Sequence, residues 1–456
     1  MSASAGIPGF GGRLIMPADA DFAAARLTNN TAADAWPALI AQAASATDVA
    51  AVVRWVRANG QPLAIRSGGH SICGHSTGDG VVVLDLRKLN AIEIDPSPAA
   101  AWAWAGAGAT AGEYTKAAYA RGRATSFGDT ASVGLGGLVG GGGIGWLVRK
   151  YGLTIDSLLA AELVTADGEL ITASANEHTD LFWALRGGGG NFGVVTRYQL
   201  ALRPIGQVVH GMLLMPATRD NVRQVLAIGM AAPDDLTLMP YVMAIPPMEE
   251  VPAREHGRLG LWVDTLWAGP AAAGAPVLAA LRELGPLLID NVAEKPYPDV
   301  YPPPHEGAER GGWTSSSIFL DAADSDVHEV VERMLAAPPG ECVAIFRVLG
   351  GAAARVPSDA TAYAWRERQL LVWIMGFWSG TDPALKASHG AWVGEFRAAL
   401  APYGTGAFAS FMGDDSAEAL ATVYPPATLA RLRDVKRRYD PDNFFRLNLN
   451  VVPAES

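Results

Sequence analysis

The feature that most constrains the fold of this chain is the placement of its glycines, many of which form two dense clusters. The stretch Phe127–Trp146 holds nine glycines, and the stretch Gly187–Gly193 holds five more. Positions without a Cβ let the backbone pass close to a ligand and direct its N–H groups at phosphate oxygens. A flexible linker is hydrophilic and monotonous, whereas apolar residues interrupt the first cluster, among them Val133, Leu135 and Ile144. We therefore expect a packed loop that holds a ligand.

Two spacings within these clusters match the dinucleotide fingerprint GxGxxG, one from Gly140 to Gly145 and one from Gly188 to Gly193. That fingerprint also requires a strand before the glycines and a helix after them. The first match follows an irregular segment, and the second leads into a predicted strand, Val194–Leu202. Neither context is typical of a Rossmann site. No Lys-Ser or Lys-Thr pair follows either cluster, which excludes a Walker loop.

Composition narrows the class of protein further. The chain has 456 residues, enough for two or three domains, and half of them are hydrophobic. Its net charge of −11 argues against a nucleic-acid partner. Two cysteines, Cys73 and Cys342, provide neither a disulfide framework nor a cysteine-rich zinc site. With no secretory signal and no long apolar run, we expect a cytoplasmic protein with no membrane partner and no metal.

The order of elements divides the chain into two parts. Before residue 205, a helix near 47–59 and a second helix that opens with a capping box at Thr110 alternate with short strands. After that point, aromatic strands such as Leu261–Leu266 and Leu370–Trp378 alternate with helical stretches. The last predicted elements are a helix over 427–439 and a short strand, Leu447–Val452.

Five motifs, in this order, resemble the FAD-linked oxidases of the vanillyl-alcohol oxidase type, in the berberine-bridge-enzyme-like branch with its 6-hydroxy-D-nicotine oxidase-like bacterial members. The motifs are Arg66-Ser67-Gly68-Gly69-His70-Ser71, Val133-Gly134-Leu135-Gly136-Gly137, Arg149-x-Tyr151-Gly152-Leu153 with Asp156, Asp180–Gly193, and Tyr439–Asn450. The resemblance implies an α+β fold, in which a two-part FAD-binding domain is joined by an antiparallel-sheet substrate domain covered by helices. The expected boundaries are 1–205 for the N-terminal part of the FAD domain, 206–414 for the substrate domain and 415–456 for the C-terminal segment that completes the FAD domain.

The resemblance also implies which residues hold FAD. The loop histidine of this family bonds covalently to the 8α-methyl group of the flavin, and here that residue is His70. Many relatives add a second link through a cysteine three residues before the motif valine; that position is Thr130, so we expect a single link. The other expected cofactor contacts are Arg66, Ser67, Gly68, Gly69, Ser71, Val133, Gly136, Gly137, Gly140, Gly142, Val195, Asn448 and Asn450. The last two are expected to share one face of the strand Leu447–Val452.

The expected reaction is hydride transfer from a small cyclic or aromatic amine or alcohol to FAD, followed by reoxidation with O2 to H2O2. A valine at position 133 goes with oxidase behaviour in this family, and bulkier residues go with dehydrogenase behaviour. Two alternatives stay open: an oligosaccharide or sugar oxidase of the same fold, and a flavin-binding protein without turnover. The partners expected are therefore a small-molecule substrate and O2, for a monomer or homodimer.

The sequence indicates the catalytic residues less clearly than it indicates the cofactor contacts. Plant relatives place a glutamate base five residues before a Gly-Gly pair, but here that position is Ile345. Arg347, two residues on, is a charge in an apolar strand, so it faces either solvent or a polar ligand such as an anionic group. The candidate catalytic residues are Tyr363, Arg347 and Tyr424, with Tyr301, His305 and His75 as further polar candidates. Trp313, Trp365, Trp373 and Trp378, in the predicted roof sheet, either pack the core or line a pocket for a ring-bearing substrate.

Overall fold

The computed structural model describes residues 6–301, 311–322, 325–380 and 382–455. His305, one of the polar candidates, lies outside the described residues. The strands of the N-terminal half are β1 (Arg13–Ile15), β2 (Leu39–Gln42), β3 (Leu63–Arg66), β4 (Val82–Asp85), β5 (Ile92–Ile94), β6 (Trp102–Gly106), β7 (Arg123–Ala124), β8 (Leu158–Val164), β9 (Leu170–Ser174), β10 (Val194–Ala201) and β11 (Arg203–Pro204). Its helices are α1 (Phe22–Ala25), α2 (Ala46–Ala58), α3 (Ala111–Tyr119), α4 (Leu135–Gly141), α5 (Val148–Tyr151) and α6 (Thr179–Leu185).

The N-terminal half is built on two sheets. The first has the order β1-β2-β4-β3, in which β2, β4 and β3 are parallel and β1 is antiparallel. The second is antiparallel, with the order β5-β6-β10-β8-β9. Helix α2 covers them with an apolar face, and helix α3 opens with the predicted capping box at Thr110. Strand β3 ends where the loop Ser67–Ser71 begins, so the sheet fixes one end of that loop.

Helix α4 departs from the prediction, because the glycine-rich stretch was expected to be a loop throughout. Leu135, Leu138 and Val139 have helical spacing, and all three are buried. The burial of these side chains offsets the unfavourable helix propensity of the intervening glycines. The helix ends at Gly142, whose φ of 123° lies outside the range that other residues favour.

The strands of the C-terminal half are β12 (Gln207–Pro216), β13 (Leu236–Ala244), β14 (Leu259–Trp267), β15 (Ile289–Asp290), β16 (Ala293–Pro296), β17 (Gly311–Leu320), β18 (Glu341–Val348), β19 (Leu370–Ser379) and β20 (Gly404–Thr405). The helices are α7 (Arg219–Ala231), α8 (Ala271–Arg282), α9 (Ser325–Leu335), α10 (Gly351–Ala354), α11 (Pro383–Leu400), α12 (Ala417–Val423) and α13 (Pro426–Tyr439). Within the described ranges, all nine strands form one antiparallel sheet of order β15-β12-β14-β13-β18-β19-β17-β20, with β16 paired to β12.

The two faces of this large sheet have different neighbours. Helices α7, α8, α9 and α11 pack on one face through an apolar core that includes Val263, Phe346 and Val372. Because side chains alternate along a strand, the intervening residues face the other way. On that side Met239 and Leu266 pack with Trp146 and Leu147 of the N-terminal half. The sheet is therefore a roof over the N-terminal half, and the residues between the two are placed to form a site.

The C-terminal tail is held against the N-terminal half by a buried ion pair. The Lys436 ammonium, on α13, donates hydrogen bonds to the Asp440 carboxylate at 2.7 Å and to the carbonyls of Asn191 and Phe445 at 2.7 and 2.8 Å. Neither charged side chain is accessible to solvent. Asp440 in turn accepts the backbone N–H groups of Phe444 and Phe445. The tail therefore packs in the core of the N-terminal half, as expected for a two-part domain. The domain boundaries at residues 205 and 414 remain a proposal.

Residues 447–452 do not form the predicted strand. Their backbone groups bond to a side chain instead of to a neighbouring strand: Asn191 donates to the carbonyl of Leu449 at 3.1 Å and accepts the N–H of Val451 at 2.9 Å. The strand alternation that was expected to place Asn448 and Asn450 on one face therefore does not apply.

Candidate active site

A cavity of about 400 Å³ lies between the glycine-rich loops and the roof sheet. Its walls contain the loop Ser67–Ser71, much of the stretch 128–144, Gly189 and Gly190, and Asn448 of the tail. Aromatic residues of the roof, Trp313 and Trp373, close it from above. Of the expected cofactor contacts, the cavity lining includes Ser67, Gly68, Gly69, His70, Ser71, Thr130, Val133, Gly136, Gly137, Gly140, Val195 and Asn448.

The two glycine-containing loops cross at contact distance. A Cβ on Gly68 would collide with the backbone nitrogen of Gly134, and a Cβ on Gly134 would collide with Ser67 Oγ. Ser67 Oγ donates to the carbonyl of Ala107 at 2.6 Å and accepts the N–H of Gly136 at 3.2 Å. This crossing fixes the cavity wall beside His70, and it explains why the motif needs glycine at both positions.

His70 lies in the wall with one ring nitrogen engaged. Its Nε2 is 3.1 Å from Ser132 Oγ, and the described residues offer Nδ1 no hydrogen-bond partner. Burial lowers the pKa of the imidazole below its usual value. The ring is therefore neutral at pH 7, which is the form that has a lone pair for bonding to an electrophilic carbon.

Gly137, like Gly189 and Gly190, faces open space in the cavity. It lies in the cavity wall, and a Cβ built there meets no protein atom within 4 Å. An alanine would therefore project into the cavity without disturbing the fold. We expect Gly137→Ala to fold normally but to carry less than about a fifth of the wild-type flavin, because overfilling a close contact costs about 1–3 kcal/mol. Flavin per polypeptide is measured by absorbance of the purified protein.

Gly394→Ala, on the exposed side of α11, is the matched control, since its Cβ also meets nothing within 4 Å. It should keep the full flavin content and gain about 0.5–1 kcal/mol of stability. Equal flavin content in the two variants would contradict close contact between Gly137 and the cofactor.

Three expected cofactor contacts are not in the cavity lining. Arg66 is buried beneath the loop, where its guanidinium donates to the carbonyls of Ala25, Arg26 and Ser76. Gly142 lies against the ring of Phe408, and a Cβ built on Gly142 would be 2.9 Å from that ring. Asn450 lies further along the tail. Asn448, by contrast, lines the cavity, and its buried Oδ1 has no hydrogen-bond donor among the described residues.

An ion pair joins the roof to the wall of the cavity, with Asp129 in the cavity lining and Arg347 outside it. Arg347, which is 4% exposed, forms an ion pair with Asp129 at 2.5 Å, joining the sheet to the stretch that carries Thr130. Its guanidinium carbon lies 5.5 and 5.6 Å from the rings of Trp373 and Phe411, which stack on each other at 3.9 Å. In the part of the chain that the structure describes, the Nε of Arg347 and the Nε1 of Trp373 are buried without an acceptor. Two unused donors therefore accompany the aromatic surface.

The two candidate tyrosines lie outside the cavity lining. The hydroxyl of Tyr424 donates to the carbonyl of Gly187 at 2.9 Å and so holds the second glycine cluster. Tyr363 packs between Phe319 and Phe408, with the Arg366 guanidinium 5.1 Å from its ring. Burial raises the pKa of both phenols. The contacts of these two tyrosines do not bring either hydroxyl to the cavity. The geometry therefore supports a packing role for both.

One acidic residue of the cavity lining was missed in the sequence. Asp129 lines the cavity beside Thr130, whose hydroxyl donates to it at 3.0 Å. It lies in an irregular stretch, where no pattern indicates the direction of its side chain.

Comparison with known proteins agrees with this cavity. A family model for an FAD binding domain matches residues 37–174, and a model described as berberine and berberine like matches residues 408–452. The chain is 32% identical to (R)-6-hydroxynicotine oxidase of Paenarthrobacter nicotinovorans over 92% of each chain. It therefore belongs to the FAD-linked oxidoreductases of the berberine-bridge-enzyme-like family, and it is an FAD-dependent enzyme.

Among solved structures, 6-hydroxy-D-nicotine oxidase from Arthrobacter nicotinovorans superposes with a TM-score of 0.85 at 30% identity, covering 98% of both chains. Xylooligosaccharide oxidase of Thermothelomyces thermophilus is 30% identical, over 92% of this chain and 88% of that protein. These matches confirm the resemblance and the α+β fold. They leave the substrate class open, because the names of these relatives point to different substrates.

Within the described ranges, no helix combines the length and apolarity that a bilayer crossing needs. Nor do three or more His, Cys, Asp or Glu side chains of those ranges cluster in a way that would hold a metal ion.

Proposed function

We propose that the protein is an oxidase that holds FAD through a single covalent bond to His70 and oxidises a small ring-bearing amine or alcohol. The observation that carries the proposal is the cavity itself, which has His70 and Asp129, the ion-pair partner of Arg347, in its glycine-rich wall and Trp313 and Trp373 at its roof. FAD, when bound there, supplies an acceptor for two electrons and passes them to O2.

The residues present fit that cofactor. Gly137, Gly189 and Gly190 leave open space in the wall, which suits a flat ring and a pyrophosphate close to the backbone. The buried Oδ1 of Asn448 lacks a donor among the described residues and is available to the polar edge of a flavin. Thr130 and Val133 line the same space. With threonine rather than cysteine at position 130, the chain has a single attachment point.

The roof is suited to the substrate. Trp313, Trp373 and Phe411 offer aromatic surface for a ring, and they exclude water from the reacting atoms. The unused Nε1 of Trp373, a residue of the cavity lining, is a donor for a heteroatom on that ring. For an amine the reaction balances as one amine plus one O2 giving one imine plus one H2O2. The hydride from the carbon next to nitrogen and the proton from nitrogen both leave the substrate, and a C=N double bond replaces the C–N single bond.

The test is anaerobic reduction of the purified holoprotein, followed by admission of air. The panel contains (R)-6-hydroxynicotine, benzylamine, benzyl alcohol and xylobiose, and the readouts are loss of visible flavin absorbance and then H2O2. We expect bleaching by a ring-bearing amine or alcohol and stoichiometric peroxide. Bleaching by xylobiose alone would favour the sugar oxidase, and slow reoxidation in air would favour a dehydrogenase. A flavin that no compound reduces would contradict the proposal and favour a protein without turnover.

A further inference from the structure

Asn30 is a buried asparagine in the connection between α1 and β2. None of its surface is accessible to solvent. Its amide oxygen accepts the backbone N–H of Ala32 at 3.0 Å, a local bond that begins a single helical turn. An asparagine amide has two N–H donors and two acceptor lone pairs, and the remaining three positions bond to distant parts of the chain. With all four positions occupied, the side chain is held in one orientation.

Two of these bonds pair the amide with the backbone of Trp313 on β17. The amide nitrogen donates to the carbonyl of Trp313 at 2.9 Å, and the amide oxygen accepts its N–H at 3.1 Å. In the described part of the chain, the neighbouring strand β20 pairs with β17 at Phe319 and Leu320 and does not reach Trp313. The Asn30 side chain therefore takes the place of a neighbouring strand at this position, so that neither backbone group of Trp313 is left unpaired.

The third bond reaches the loop that carries His70. The second N–H of the Asn30 amide donates to the carbonyl of Ile72 at 3.1 Å. The preceding residue, Asn29, donates its backbone N–H to the carbonyl of Gly69 at 3.0 Å. These two carbonyls lie on either side of His70 in the chain, and Gly69, His70 and Ile72 all line the cavity. One side chain therefore joins the loop that is proposed to hold the flavin to the roof of the cavity.

This connection fixes one wall of the space available to a substrate. Trp313 lines the cavity, and the centroid of its indole lies 6.5 Å from the ring centroids of both Trp373 and Phe377 on β19. Strand β19 thus supports the indole from one side, while Asn30 holds its backbone from the other. A ring-bearing molecule between the flavin and the roof would contact this indole, and aromatic contacts depend closely on the separation of the rings.

We propose that Asn30 is a positioning residue that sets the distance between the Trp313 indole and the flavin on His70, and thereby the size of the ring that the cavity accepts. This inference rests on the proposed function. Asn30 itself is not in the cavity lining, so it touches neither flavin nor substrate. Because it acts through Trp313, its effect on a bound ring should disappear when that indole is absent. A residue that only stabilised the fold would not show this dependence.

The test compares the holoprotein of Asn30→Ala with that of wild type. Phenol has a ring but no hydrogen on the carbon next to its oxygen, so its Kd, from the change in flavin absorbance, reports ring binding alone. We expect this Kd to rise about five- to tenfold, the size of one aromatic contact. Reduction by saturating substrate, per bound flavin, should slow about 100-fold, because a displacement of about 1 Å can reduce a rate by that factor. Wild-type values of both quantities in Asn30→Ala, or no binding of phenol to wild type, would overturn the inference.

A double variant decides whether Asn30 acts through the indole. Asn30→Ala combined with Trp313→Ala should bind phenol with the same Kd as Trp313→Ala alone, since the ring that Asn30 positions is gone. Further weakening in the double variant would contradict the inference. The matched control is Asn59→Ala, whose exposed side chain donates to the carbonyl of Trp55 at the end of α2. This control should match wild type in both the Kd of phenol and the rate of flavin reduction.

Hydrogen exchange on wild type tests the connection even if Asn30→Ala does not fold. In protein that is isotope-labelled at tryptophan, NMR should show the backbone N–H of Trp313 exchanging as slowly as that of Trp373, which lies between two strands of the sheet. Rapid exchange at Trp313 would overturn the inference. Phenol binding that responds to Asn30→Ala, without flavin reduction by any amine or alcohol, would instead contradict the proposed function alone.

Discussion

Lys436→Met should lower the free energy of unfolding by about 3–5 kcal/mol, the usual cost of removing one partner of a buried ion pair. The substitution leaves Asp440 buried without its counter-ion, and it also leaves the carbonyls of Asn191 and Phe445 without a donor. Because Asn191 positions the backbone of residues 449–451, the loss should extend to the tail that carries Asn448. Urea denaturation, followed by far-UV circular dichroism and flavin fluorescence, measures the effect.

Arg438→Gln provides the control on the same helix. The Arg438 side chain is 65% exposed, and it pairs with Asp180 at 2.8 Å near the surface. Exposed pairs of this kind contribute about 0–1 kcal/mol, so this variant should remain close to wild type. If Lys436→Met were as stable as Arg438→Gln, the buried pair would not be what holds the tail to the second glycine cluster.

Arg347→Gln should slow reduction of the flavin by substrate at least about 30-fold, since truncating one member of a buried charge pair costs about 2–5 kcal/mol. The cause is that Asp129 loses the partner that fixes it at the cavity wall. Anaerobic stopped-flow bleaching measures the rate, with the amine that reduces the wild-type flavin fastest.

The control for this variant is Arg282→Gln. Arg282 pairs with Asp290 at the outer edge of the same sheet, and both side chains are partly exposed. Its rate of flavin reduction should match that of wild type. An unchanged rate in Arg347→Gln would exclude the pair from the substrate site.

The cofactor side of this site is predictable from sequence because its chemistry is local. The loop Ser67–Ser71 and the glycines near Gly136 are contiguous motifs that line the cavity, so their order along the chain is sufficient to indicate them. Arg347 was also indicated, since a charge in an apolar strand requires a reason.

The remaining parts depend on long-range packing that no local pattern encodes. Asp129 lies in an irregular stretch, and only the sheet that folds over it supplies the partner Arg347. Tyr363 follows the irregular segment after α10, where no periodicity fixes the direction of a side chain, and it packs against Phe319 and Phe408 instead of lining the cavity. Residues 447–452 alternate like a strand, but the side chain of Asn191 takes up their backbone groups.

The central claim is that His70 holds FAD covalently in the cavity under the roof sheet. It is tested most directly by denaturing the purified protein in acid and mapping the flavin after proteolysis. We expect the yellow colour to stay with the polypeptide and to be confined to the peptide that contains His70, and we expect His70→Ala to release its flavin on denaturation. Flavin that is released freely from wild type, or found on any other peptide, would contradict the account.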